Sequence, residues 1–488
     1  MSRGLFAKKT IKSLLEEASQ KRNSMQRTLG PMNLTMMGIG AIIGGGIFVM
    51  TGQAAAQYAG PGVIFSFILA ALVCVLVALC YAEFASLIPI AGSAYSYAYA
   101  TMGEFVAWII GWSLALEYLF SSATVAVGWS GYLVSLLSDW GIIIPEMLAR
   151  SPFDYDPALG WQTTGALFNL PALLIIGLIG TLIALGIKLA SEVNTILVVI
   201  KMAVILLFVA CGVAFISVDN WQVFIPENTG VFGQFGWSGI VRGAGVVFFA
   251  FIGFDAISTL AQEAKNPQKD MPIGMLGSLG ISTFVYIIIA LVLTGVVSYT
   301  MLNVPDPIAI AVNALGPKFI WLRLVSKIAI LAGLTSVVLV MLLGQTRIFY
   351  TMAHDGLLPL VFGKINARFH TPLFSTVLVT LICMTIAALF PVGILGQLVS
   401  IGTLLIFAIV CFGVLVLRFK QPLLHRPFKT PFAPWVPLLG TLACIGLMIG
   451  LPGVTWLQLI GWLAIGCVVY FQYGKKHSLI RNPKGPKR

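Results

Sequence analysis

The sequence predicts an all-α membrane protein with twelve transmembrane helices. Of its 488 residues, 59% are hydrophobic and only 9% are charged, whereas a soluble domain carries about 25% charged residues. The apolar residues also stand in long continuous blocks, as helices crossing a lipid core require. A membrane β-barrel would show short alternating segments instead, so the barrel class is disfavoured.

Length and hydropathy place the twelve blocks, and no soluble domain fits between them. Their approximate limits are 34–58, 62–88, 103–137, 167–187, 193–217, 238–262, 274–298, 320–350, 373–391, 396–417, 432–450 and 452–473.

The net charge of +12 predicts orientation. Most Lys and Arg residues fall at the two ends and in alternate connections, so we expect both termini in the cytoplasm and an even number of spans. This pattern fits contact with the lipids of an anionic inner leaflet and gives no reason to invoke nucleic acid. The predicted location is the cytoplasmic membrane.

The N-terminal segment, 1–30, is basic and polar, so we expect no cleavable signal peptide. We expect an amphipathic helix on the inner membrane surface, with a disordered tail as the alternative. Its predicted apolar side comprises Leu5, Phe6, Ile11, Leu14, Leu15 and Ala18, largely opposite Lys8, Lys9, Lys12 and Glu16. The last segment, 474–488, is a basic tail.

Two spans contain glycines that interrupt a helix. The first span runs MGIGAIIGGGIFVMTG and the sixth runs FFAFIGFDAIST. Unwound backbone at membrane depth must line a cavity, and breaks at matching positions indicate a transporter's binding site. We therefore expect two five-span inverted repeats, 31–217 and 238–417, with two further helices in 432–473. The alternative is that Gly40 and Gly44 form a GxxxG motif for close helix packing.

The breaks themselves suggest a ligand. Exposed N–H groups at Gly45 and Gly46 suit a carboxylate, and unpaired carbonyls at the ends of the preceding half-helices suit an ammonium. An amino acid presents both groups.

Ionisable side chains within spans are costly and are therefore functional candidates. Lys201 lies deep in its span and could exchange a proton near neutral pH, or it could extend towards the inner face. Asp255 could cap a half-helix or influence substrate charge and proton movement. Glu117 could face the cavity or link helices, and Glu83 suggests a gate or a packing partner.

The cysteines and histidines of the sequence do not indicate a cofactor or metal site. The seven cysteines form no CxxC motif, and the four histidines lie outside the span interiors without metal-ligand spacing. We expect no cofactor, no metal and no enzymatic activity.

Four segments carry a family resemblance: GIGAIIGGGIFV, CYAEFASLIPIAGSAYSYAYATMGE, FFAFIGFDAISTLAQEAKNPQKDMPIGM and GQTRIFYTMAHDGLLP. With them, the chain resembles the amino acid–polyamine–organocation superfamily, and within it bacterial members of the cationic amino acid transporter family. The resemblance covers nearly the whole chain and implies the inverted-repeat fold of the leucine-transporter type.

The resemblance also implies residue roles. Gly45 and Gly46 would contact the substrate carboxylate, and the carbonyls of Ile42, Phe249 and Ile252 its ammonium, with Phe249 as a gate. Lys201 would occupy the place of a sodium ion, near Ser336 or Thr335, and Met341 would line the side-chain pocket. The candidate substrate site is thus Ile42, Gly44, Gly45, Gly46, Glu117, Phe249, Ile252, Asp255 and Met341. The candidate proton-coupling site is Lys201, Thr335 and Ser336.

Two departures from the family pattern bear on specificity. Gly45 replaces the usual Ser or Thr, which removes a hydroxyl that could bind the carboxylate. Met341 replaces a small polar residue of animal members and would shorten the pocket. We therefore expect small or mid-sized neutral L-amino acids such as alanine.

Proton symport is the leading hypothesis. Substrate exchange and sodium coupling are alternatives, although a cation at Lys201 would repel sodium. A channel is disfavoured because a single chain offers no ring of identical groups. The sequence leaves open whether a small membrane protein is a partner.

Overall fold

A computed structural model describes residues 4–11, 13–14, 16, 27–44, 46–156, 160–303, 307–449 and 453–481. Its helices are α1 Pro31–Ile42, α2 Val63–Leu87, α3 Ser93–Thr101, α4 Glu104–Asp139, α5 Leu170–Leu185, α6 Ile187–Val213, α7 Gly236–Val247, α8 Pro267–Val296, α9 Pro307–Ala314, α10 Ile320–His354, α11 Leu373–Leu389, α12 Val392–Lys420, α13 Trp435–Ile449 and α14 Gly453–Val469. Short helical turns connect several of them, including Gly46–Met50, Thr51–Ala54 and Ala55–Ala59 between α1 and α2.

Within the described residues, eight helical stretches are long and apolar enough to cross a membrane. They are Thr51–Leu87, Glu104–Asp139, Ile187–Val213, Gly236–Leu260, Pro267–Val296, Pro317–His354, Leu398–Lys420 and Thr455–His477. Three shorter apolar helices are α5, α11 and α13. Every block that hydropathy predicts as a span overlaps at least one of these helices or, for the first block, α1.

Burial separates central helices from peripheral ones. The apolar window of Pro317–His354 is 83% buried, whereas that of Ile187–Val213 is only 28% buried. The helix α10 is therefore central, and most of α6 faces outwards. The buried residues of α6, which include Asn194, Val198 and Lys201, recur every three or four positions and form one stripe. Lys201 thus points into the protein because of its place in the helical period.

The N-terminal segment departs from the predicted amphipathic helix. Residues 4–10 are not helical, and helix occurs only at 11, 13, 14 and 16 among the described positions, which do not include Leu15 and Ala18. The physical reason is a set of backbone contacts: Glu104 N–H donates to Ala7 O at 2.9 Å and Phe105 N–H to Leu5 O at 3.1 Å.

Lys8 and Lys9 bind the protein instead of lying opposite an apolar side, and Lys12 lies outside the described residues. Lys8 donates to Thr101 O, and Lys9 forms an ion pair with Asp355 at the end of α10. Leu479 N–H donates to Asp355 O at 3.1 Å. Lys9 and Leu479, near the two described ends of the chain, therefore lie close to one another at Asp355.

A β-hairpin interrupts the otherwise helical fold. Strand β1 Phe153–Asp156 pairs antiparallel with β2 Gly160–Thr163, with Phe153 opposite Thr163. The hairpin satisfies backbone hydrogen bonds in a loop too polar to enter the membrane.

Candidate substrate and proton-coupling site

The first candidate break lies at the end of α1. The helix ends at Ile42, and Ile43 adopts an extended conformation with φ −78° and ψ 98°. Helical turns begin again with Gly46–Met50. Gly45 lies outside the described residues. The predicted interruption of the first span is therefore present.

The same glycines also permit close packing. A Cβ added to Gly44 would lie 2.6 Å from Val337 Cγ2, and one added to Gly46 would collide with the backbone of Ala250. An added Cβ at Gly40 would collide with the side-chain amide of Asn194. Packing and interruption were alternatives in the sequence, and the structure shows that the glycines serve both.

The second break follows α7. A tight turn, Phe248–Phe251, leads to Ile252 in an extended conformation with ψ 135°. Gly253 then has a φ of +120°, and a Cβ there would lie 2.9 Å from Ala41 Cβ and 3.0 Å from Met341 Cε. Both the backbone angle and the crowding require glycine at this position. Helical turns start again at Asp255.

Lys201 binds the end of the first half-helix. Its Nζ lies 3.0 Å from Ile39 O, 3.2 Å from Gly40 O, 2.7 Å from Ile43 O and 2.9 Å from Ser336 Oγ. The side chain is fully buried. All four partners are neutral oxygens, and three are carbonyls at the C-terminal end of α1, where the helix dipole favours a cation. This arrangement holds α1 against α6 and α10.

Of the two predicted hydroxyl neighbours, only Ser336 contacts Lys201. Ser336 Oγ also lies 2.8 Å from Gly40 O. Thr335 Oγ1 donates to Leu331 O within its own helix, at 2.7 Å, so its hydroxyl is occupied elsewhere. Adjacent residues of a helix point about 100° apart. The rotation of α10 about its axis therefore determines that Ser336, and not Thr335, faces Lys201.

Tyr286 of α8 joins the two breaks. Its hydroxyl lies 2.8 Å from Ile42 O and 2.8 Å from Ala250 O, and the side chain is fully buried. A phenol has one proton to donate, so the two carbonyls share it. Each interrupted helix is thus fixed relative to the other through a single hydroxyl.

Asp255 and Glu117 lie in the buried interior near the second break. Asp255 Oδ2 accepts a hydrogen bond from Tyr118 at 2.6 Å. Glu117, next to Tyr118 in α4, is fully buried. Ser258, one turn beyond Asp255, lies 2.5 Å from Ser93 Oγ. These contacts link the half-helix after the break to α4 and α3.

Glu83 has a different environment from the other carboxylates. It forms ion pairs with Arg418 at 2.7 Å and Arg426 at 3.0 Å, and it accepts the Thr430 N–H at 2.8 Å. Of the two roles considered for it, these bonds match a packing partner that anchors the connection between α12 and α13.

Met341 and Phe249 differ in how far they are buried. Met341 is buried, with its terminal methyl carbon Cε against Gly253. Phe249 is half-buried, whereas its neighbours Phe248 and Phe251 are buried. One turn before Phe249, a Cβ added to Gly245 would meet no atom within 4 Å. Phe249 and Gly245 therefore lie on a side of this segment that other residues leave partly uncovered.

Sequence reasoning did not identify Tyr286, Tyr118 or Asn194. A buried tyrosine hydroxyl needs a partner, so a phenol in an apolar span was an available signal. Its partners are backbone carbonyls or a residue about 140 positions away, and no local pattern reveals them.

Comparison with known proteins gives the family. The model of the amino acid permease family matches residues 29–473. The chain is 44% identical to a methylthioribose transporter of Bacillus subtilis, over 98% of this chain and 99% of that protein. It is 43% identical to the branched-chain amino acid permease BcaP of the same organism, over 98% and 99%.

A human relative extends the comparison. The chain is 32% identical to cationic amino acid transporter 4, over 94% of this chain and 76% of that protein. Matches of this length and identity, together with the apolar helices, show a multi-pass membrane transporter. The chain belongs to the amino acid permease family of the amino acid–polyamine–organocation superfamily.

Proposed function

We propose that the chain is a proton-coupled symporter that carries small or mid-sized neutral L-amino acids by alternating access. In this proposal twelve helices cross the membrane, the first ten form two inverted repeats of five, and both termini lie in the cytoplasm. The observation that carries the coupling mechanism is Lys201, whose ammonium is bound by four neutral oxygens.

The proposed coupling depends on how protonation changes the interactions of Lys201 with α1. The charged ammonium offers three donors and is attracted to the negative end of α1. A neutral amine has fewer donors and loses that attraction, so the interaction between Lys201 and α1 weakens. Loss of the proton to the cytoplasm would then accompany movement of α1 away from α6 and α10, which opens the site inwards.

The proposed substrate site lies between the two breaks. The N–H groups at Gly44 to Gly46 would bind the substrate carboxylate, and the carbonyls of Ile42, Phe249 and Ile252 its ammonium. Tyr286 keeps these two carbonyl-bearing segments at a fixed separation. Met341, next to Gly253, would limit the length of the substrate side chain.

The relatives' names supply the competing substrates. The branched-chain amino acids named for one relative are of the mid-sized class that we propose as substrates. Methylthioribose, named for another relative, has neither carboxylate nor ammonium and would leave both proposed subsites unused. Exchange and sodium coupling are the competing mechanisms, and a lysine ammonium among these oxygens disfavours sodium by repulsion.

The test is uptake of labelled alanine into proteoliposomes with and without an inward proton gradient. We expect accumulation driven by the gradient in the wild type and its loss in Lys201→Ala. The matched control is Lys269→Ala, which removes an exposed lysine and should leave accumulation unchanged. Excess leucine should compete with alanine, and excess methylthioribose should not.

The opposite results identify the alternatives. Uptake that does not depend on the proton gradient and requires amino acid inside the liposomes would establish an exchanger. A requirement for a sodium gradient would overturn the proposed role of Lys201. Uptake of labelled methylthioribose without uptake of alanine would overturn the substrate assignment.

A further inference from the structure

We propose that a cavity beside the turn between α5 and α6 binds the anionic headgroup of a membrane phospholipid. The cavity has a volume of about 330 Å³. Four ionisable side chains and two leucines define its character: Lys188, Glu192, Arg368, His370, Leu185 and Leu189. The inference concerns a site remote from the breaks and does not depend on the proposed coupling or substrate.

The charges lining the cavity favour an anion. Lys188 and Arg368 are cationic side chains, whereas Glu192 is the single carboxylate among the lining residues. The Lys188–Glu192 pair is 4.0 Å apart, and the two side chains are 73% and 58% exposed. Such a pair contributes little, so Lys188 can turn towards a phosphate without losing a strong partner.

The cavity walls are fixed by hydrogen bonds between two connections. Asn366 Oδ1 accepts the N–H groups of Arg368 at 2.8 Å and Phe369 at 3.2 Å. Thr371 Oγ1 donates to Ala184 O in the last turn of α5, at 3.0 Å. The connection that carries Arg368 and His370 is therefore attached to the helix end opposite it. A cavity with preset walls binds at a lower entropic cost than one formed on binding.

The position of the cavity indicates a lipid as the source of the anion. It lies in the connection that follows α10, on the face where both chain ends contact Asp355. Leu185 and Leu189 are exposed, as are Leu178 and Phe374 on the adjoining helices. Cationic side chains beside exposed apolar helices match an anionic phospholipid, whose chains would cover the apolar residues.

The test measures thermal unfolding of the purified full-length protein in detergent. The additives are dioleoylphosphatidylglycerol, dioleoylphosphatidylcholine or inorganic phosphate. We expect phosphatidylglycerol to raise the Tm of the wild type more than phosphatidylcholine does. The double variant Lys188→Gln/Arg368→Gln should lose that difference. The matched control Lys265→Gln/Lys269→Gln removes the same charge from exposed positions on the same face and should retain it.

Each other result overturns the proposal. Equal responses from all three proteins would mean that the cavity does not bind the lipid. Loss in both double variants would mean unspecific attraction to basic charge, and an equal shift with inorganic phosphate would mean a site for free anions. If the double variant does not fold, lipid adducts are counted by native mass spectrometry on the exposed single variant Lys188→Gln. Fewer phosphatidylglycerol adducts than on Lys269→Gln would support the site, and equal numbers would overturn it.

Discussion

Lys201 Nζ and Ser336 Oγ are 2.9 Å apart, and both reach one carbonyl, that of Gly40, at 3.2 Å and 2.8 Å. Two helices distant in sequence thus bind the end of α1 through one shared oxygen. The contact makes Ser336 part of the lysine's environment.

Ser336→Ala should reduce proton-driven accumulation, because it removes one of the four oxygens around Lys201 and a second link to α1. Loss of a buried hydrogen bond of this kind costs about 1–3 kcal/mol. Thr335→Ala should behave like the wild type, since its hydroxyl bonds within α10. Alanine uptake under a fixed proton gradient compares the two variants. Equal losses would argue against the assigned role of Ser336.

Tyr286→Phe should raise the KM for uptake by about tenfold, which corresponds to about 1.4 kcal/mol. The variant keeps the ring and removes the donor shared by Ile42 O and Ala250 O, so the two breaks lose their common link. Tyr299→Phe, at a half-buried phenol near the end of α8, is the control. An unchanged KM in Tyr286→Phe would mean that packing alone sets the separation of the breaks.

Gly46→Ala should abolish uptake while the protein still inserts into the membrane. Its new methyl group would overlap the backbone of Ala250, which cannot rotate away as a side chain can. Gly245→Ala adds the same group where no atom lies within 4 Å and should transport normally. Initial uptake rates, normalised to the amount of protein in the membrane, provide the comparison. Normal transport by Gly46→Ala would show that the breaks need no close approach.

Met341→Ser should admit longer substrates, including arginine, because it removes the thioether that lies against Gly253. Met341→Leu conserves most of the volume and should retain the wild-type preference. Competition of unlabelled arginine against labelled alanine measures the change. Arginine that competes no better in the serine variant than in the wild type would place Met341 outside the side-chain pocket.

Composition and hydropathy predict the helices well because every backbone group in lipid must be bonded within its own segment. Charge predicts that both termini are cytoplasmic, and this stays a prediction. Residues 4–10 could not be predicted in the same way. Their helical period is outweighed by backbone bonds to Glu104 and Phe105, which no local pattern records.

Some residues of the candidate site could likewise be predicted from the sequence, and others could not. Glycines mark the breaks because their flexibility is a property of the residue itself, and Lys201 is conspicuous because charge is rare within a span. The choice of Ser336 over Thr335 depends on the rotation of α10 about its axis, which apolar sequence on all sides leaves undetermined. Tyr286 acts on carbonyls of other helices, and every residue carries a carbonyl.

The contact between Lys9 and Asp355 joins residues 346 positions apart, and that separation has a consequence for biosynthesis. While the chain emerges from the ribosome, Lys9 has no access to its carboxylate partner until about three-quarters of the protein has been made. Leu479 reaches the same aspartate only near the end of translation. The contacts that join Lys9 and Leu479 to Asp355 are therefore among the last in the protein to form.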